Sequence, residues 1–94
     1  MSGTTRSSAD LEPRKKRLLF QSWHRGTREM DLLLGRFADA TIEGWSDADI
    51  ADMEELMRVP DPELYRWITG QTAIPDNHRS PILSRVIAFH RTHP

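Results

Sequence analysis

Met30, Leu33, Leu34, Phe37 and Ala38 recur at the three- and four-residue spacing of an α-helix. No stretch of useful length alternates apolar and polar residues as a half-buried strand would. This single periodicity confines the chain to the all-α class, and its interruptions divide it into about five short helices. Pro13 suits the first turn of a first helix, which carries Leu18, Leu19, Phe20 and Trp23 and is expected to end at Gly26. Thr27 can cap a second helix, with Glu29 in its first turn, running to Thr41–Gly44. Asp31, Gly35 and Asp39 are expected on the side of that helix opposite its apolar stripe. Ser46 and Asp49 have the spacing of a partial capping box, and Trp45 and Ile50 that of a hydrophobic staple, at the start of a third helix. Ile50, Met53, Leu56 and Met57 then point to the core until Pro60 breaks the pattern. Asp61 is expected to cap a fourth helix, with Leu64, Trp67 and Ile68 inward and Gly70 closing it. Ser80-Pro81 opens a fifth, with Ile82, Leu83, Val86, Ile87 and Phe89 or His90 inward. The expected architecture is a compact helical bundle, with residues 1–12 a flexible polar tail and 13–94 the domain.

Size and composition narrow the function classes. Ninety-four residues form one domain with a small core, leaving little room for a cleft of the roughly 300 Å³ that small-molecule sites begin at. The absence of cysteine excludes disulfides, thiolate catalysis and cysteine-based metal sites. Apolar runs such as Leu18-Leu19-Phe20 and Leu32-Leu33-Leu34 fall far short of the roughly 20 residues that span a bilayer. The polar start, "MSGTTRSSA", lacks the apolar centre of a secretory signal, and Asp10 and Glu12 speak against an organelle-targeting remnant.

The net charge of −1 hides an asymmetry. Residues 1–28 carry seven basic and two acidic side chains, and residues 29–66 carry three basic and eleven acidic ones. An acidic middle disfavours general nucleic-acid binding. Arg14-Lys15-Lys16-Arg17 nevertheless leaves a small helical nucleic-acid-binding or antitoxin-like regulator as the alternative, one that would bind in a salt-sensitive way.

The chemistry-bearing residues are sparse. His24, His78, His90 and His93 form no His-Glu-x-x-His pattern, so no metal site is expected. The serines lack a glycine elbow and the glycines stand singly, so neither a hydrolytic triad nor a phosphate-binding loop is expected. Trp23, Trp45 and Trp67 are assigned to the core. One corner remains, "HRGTREMD" (24–31). Gly26 turning the chain, Glu29 starting a helix and Arg25 as a surface charge explain it locally. The competing reading is a rigid junction at which Arg25 and Glu29, four apart, emerge side by side with His24 for a partner. An acid/base pair of His24 and Glu29 in a small enzyme is a further, weaker reading, lacking a pocket.

At these residues the chain resembles the succinate dehydrogenase assembly factor 2 family, the flavinators. The resemblance rests on "RGTREMDLLLGRF" (25–37) and "VPDPELYRWITG" (59–70), which match Arg-Gly-x-x-Glu, a leucine-rich Asp-Leu-Leu-Leu-Gly-x-Phe run and Pro-Asp-x-x-Leu-x-x-Trp-x-x-Gly in order. Thr27 stands where methionine is common, and Met30 where leucine is common. The resemblance implies a small helical bundle that binds the flavoprotein subunit of succinate dehydrogenase, and also fumarate reductase in bacterial members. It implies promotion of covalent FAD attachment to a histidine of that partner, with no catalytic residue, metal or cofactor of the chain's own. Arg25, Gly26 and Glu29 inherit the interface role, with His24 and Asp31 beside them. A chain monomeric when free, in the bacterial cytoplasm or in the mitochondrial matrix if eukaryotic, completes the expectation.

Overall fold

The computed structural model describes residues 11–93, and these form five α-helices with no strand among them. The helices are α1 (Pro13–Trp23), α2 (Arg28–Thr41), α3 (Asp47–Leu56), α4 (Asp61–Ile68) and α5 (Pro81–Thr92). Single 3₁₀ turns at Ile42–Gly44 and Asp76–His78 lie in the connections before α3 and α5. The expected tail falls mostly outside the described residues, although Leu11 is partly buried against the core.

The helix starts follow local chemistry. Thr27 Oγ1 accepts from the Met30 amide, and Ser80 Oγ from the Leu83 amide. Ser46 and Asp49 form a reciprocal box, each side chain accepting from the other's amide at 3.1 Å. Asp49 also pairs with Arg85 of α5 at 3.1 Å, locking the start of α3 to its neighbour. The Ser46 amide, helped by Arg85, holds the Asp49 carboxyl below the usual carboxylate range. At α4 the cap is Pro60, not Asp61, which lies one residue inside the helix. Its carboxylate is drawn away from the helix end by an arginine described below.

α1 and α2 form the most extensive helix pair, and α5 packs against α2, α3 and α4. The core between them holds Leu34, Phe37, Ala38, Ile42, Met53, Leu64 and Ile82, all effectively sealed from solvent. One apolar side chain of α1 faces solvent, and one expectation about helix faces fails. Phe20 is 63% exposed, its ring stacked on His24 at 4.0 Å. Gly35 is buried rather than outward, because the Trp23 indole of α1 lies flat on the α2 backbone where Gly35 has no side chain.

A Cβ added at Gly35 would land on the indole carbons of Trp23. Two effects then oppose each other in Gly35→Ala. Alanine improves helix propensity by about 1 kcal/mol, while overpacking a close contact costs about 1–3 kcal/mol. Because the obstacle is a large ring that is itself buried, the packing cost prevails. Gly35→Ala is expected to unfold at lower urea than the parent with a shifted tryptophan emission, whereas a change in midpoint toward greater stability would show that the ring moves aside freely.

Candidate functional site

The junction between α1 and α2 is built by residues 24–27. α1 stops at Trp23 rather than at Gly26, and His24 follows with non-helical backbone. The His24 imidazole bends back on its own helix, Nδ1 donating to the Phe20 carbonyl at 2.7 Å. Gly26 adopts φ +117°, a region that only glycine enters without strain. Nothing lies within 4 Å of where its Cβ would be, so that face of the turn is open.

Two side chains hold this turn. Asp31 Oδ1 accepts from the Arg25 amide at 2.6 Å and the Gly26 amide at 3.3 Å. The Arg25 side chain turns inward instead of emerging beside Glu29. Its Nε donates to Asp61 Oδ1 at 2.7 Å, Nη1 to the Met57 carbonyl at 2.8 Å and Nη2 to the Val59 carbonyl at 2.6 Å. Arg25 is 11% and Asp61 19% exposed at the side chain, and their ion pair closes at 2.6 Å. The guanidinium thus satisfies carbonyls at the C-terminal end of α3, where a cation complements the helix dipole, and ties them to the first residue of α4.

The sequence-predicted site therefore divides by role. Arg25 and Asp31 fasten the junction to the bundle, which corrects the expectation of an outward Arg25–Glu29 pair. His24, Gly26 and Glu29 are exposed. No hydrogen bond joins His24 to Glu29, and no group of three histidine, aspartate or glutamate side chains could hold a metal, among the described residues. The basic run of α1 is partly spoken for: Arg14 pairs with Glu54 at 2.6 Å and Lys15 Nζ donates to the Glu43 carbonyl at 3.2 Å. That leaves less free charge for phosphate than the sequence suggests.

Beside Glu29 lies a trough that sequence reasoning missed. Its larger part, about 370 Å³, runs between the starts of α2 and α4 and is lined by Thr27, Glu29, Met30, Asp61, Pro62 and Tyr65. Its smaller part, about 210 Å³, is lined by Glu29, Leu32, Leu33 and Arg36 of α2, Tyr65 of α4, and Phe89, His90 and His93 at the end of α5. The two parts adjoin at Glu29 and Tyr65. The His93 ring stacks on Phe89 at 3.9 Å, and His90 Nδ1 is sealed from solvent without a hydrogen-bond partner. One signal for the trough was present in the sequence. Three consecutive leucines cannot share one helix face, and the first, Leu32, is 40% exposed.

The family described as flavinator of succinate dehydrogenase matches residues 16–90. The chain is 37% identical over 82 residues to the FAD assembly factor SdhE of Acetobacter pasteurianus, covering 87% of this chain and 75% of that protein. It is 35% identical over 78 residues to the mitochondrial succinate dehydrogenase assembly factor 2 of Dictyostelium discoideum, covering 83% and 55%. With the corresponding protein of Drosophila grimshawi the identity is 35% over 80 residues, covering 83% and 54%. The chain thus spans little more than half the length of these mitochondrial relatives. No solved structure matches it. The match across all five helices places the chain in the succinate dehydrogenase flavinator family.

Proposed function

We propose that the chain is an assembly factor that binds the flavoprotein subunit of succinate dehydrogenase and promotes covalent attachment of FAD to it. The observation that carries this reading is the outward face at Gly26 and Glu29, fixed from behind by Arg25 and Asp31, in a chain of the flavinator family. A surface fastened before binding loses little conformational entropy when it docks. Such a surface can hold a much larger partner in one arrangement.

Chemistry follows from that arrangement rather than from any group of the chain. FAD stays on the partner, whose own histidine forms the bond to it. Orienting the two reacting groups lowers the barrier without an added nucleophile. Glu29, exposed and without an ion-pair partner among the described residues, contributes a carboxylate for a donor on the flavoprotein. The same surface serves fumarate reductase where the cell contains it. The proposal includes a bacterial cytoplasmic setting.

The test is flavin attachment in vitro, with apo flavoprotein subunit, FAD and the chain, read by in-gel flavin fluorescence. The chain is expected to raise the rate of attachment. Glu29→Ala is expected to lower that gain by about tenfold or more, since a hydrogen bond to a charged group contributes about 1.5–3 kcal/mol. A rate unchanged by the chain overturns the proposed function. A normal rate with Glu29→Ala removes Glu29 from the site.

A further inference from the structure

Glu29 and Arg36 are both exposed on α2, seven residues apart. Two helical turns put them on one side, separated by roughly 10 Å of rise, and neither has an ion-pair partner among the described residues. Between them lie Leu32 and the half-buried Leu33, facing a wall made by Tyr65 and Phe89. A single exposed leucine is ordinary. A concave apolar strip with an unpaired carboxylate at one end and an unpaired guanidinium at the other is not, because each charge flanks apolar surface and the two are too far apart to neutralise each other.

We propose that this trough receives one amphipathic segment of the flavoprotein subunit. That segment carries a large apolar side chain that inserts between Leu32, Leu33, Tyr65 and Phe89. It carries a lysine or arginine on the side facing Glu29 and an aspartate or glutamate on the side facing Arg36. The inference rests on the proposed function and deepens it: Glu29 lines the trough as well as the junction, so the corner is one end of a longer docking surface.

Size and charge select this occupant. The part between Leu32, Leu33, Tyr65 and Phe89, about 210 Å³, has room for one large apolar side chain, and the adjoining part of about 370 Å³ lets the segment that carries it run on toward Thr27 and Pro62. Opposite charges at the two ends fix the direction in which a segment lies, because reversal would set like charges together.

Leu32 and Arg36 are exposed, so their substitution leaves the core untouched. Leu32→Asp and Arg36→Glu are each expected to weaken binding to purified flavoprotein subunit by about tenfold or more, with thermal midpoints near that of the parent. A benzophenone side chain installed in place of Leu32 is expected to cross-link, on irradiation of the complex, to a flavoprotein peptide holding an apolar residue between a basic and an acidic one. If the parent binds and raises flavin attachment while both variants do so equally well, the trough proposal falls and the proposed function stands. Cross-linking only to a second copy of the chain, or to a flavoprotein peptide without that pattern, also overturns it. If the parent neither binds nor raises attachment, the functional reading falls and this proposal with it.

Discussion

Arg25→Ala is expected to destabilise the chain by about 3 kcal/mol, the lower end for breaking a largely buried ion pair. The loss has three parts. Asp61 keeps its carboxylate at 19% side-chain exposure with the cation gone. The carbonyls of Met57 and Val59 lose donors that reach them at 2.8 and 2.6 Å. The α1–α2 turn also loses its side-chain anchor to α3 and α4. Against a total stability of about 5–15 kcal/mol for a domain, and a short chain belongs near the bottom of that range, the variant sits close to unfolding at growth temperature. Arg25→Lys keeps the charge but not the planar fork that serves two carbonyls and a carboxylate at once, so it is expected to lie between alanine and the parent. Urea denaturation ranks the three. A double-mutant cycle with Asp61→Ala, in which the Arg25 effect shrinks once Asp61 is gone, identifies the clamp. An Arg25→Ala chain as stable as the parent but unable to bind the flavoprotein would instead place Arg25 at the interface.

That clamp marks the boundary of what the sequence can disclose. Helix starts at Thr27, Ser46 and Ser80 were legible because each cap is satisfied by an amide three residues on. The all-α class, the tryptophan assignments and most of the core followed from the apolar period. Arg25 was misread as outward because its partners lie 32 to 36 residues away. A local spacing rule naturally paired it with Glu29, four residues on. Asp61 was misread as a cap for the same reason, since it has the right residue type beside a proline but answers to a distant guanidinium. Gly35 failed differently. Its helical phase was read from α2 alone, whereas its burial is set by an indole of α1. The trough likewise depends on the end of α5 meeting α2 beside Tyr65, an arrangement that no period within either helix encodes.

Gly26 separates backbone from surface more cleanly than any other position. At φ +117° every L-residue carries a strain of about 1–3 kcal/mol, so Gly26→Ala and Gly26→Arg are expected to lose similar amounts of stability. In the free chain nothing stands within 4 Å of the added Cβ, so the bulk of arginine adds no clash of its own. In the complex it does. A long cationic side chain three residues before Glu29 occupies space meant for the partner and offers Glu29 a competing cation. Measured where both variants are folded, Gly26→Ala is expected to keep most of the gain in flavin attachment, and Gly26→Arg to lose about tenfold or more of it, equivalent to about 1.4 kcal/mol of docking energy, because a clash acts against the bound state alone. Equal loss in the two variants would show that the partner reads the turn's backbone shape, and equal retention would remove Gly26 from the docking surface altogether.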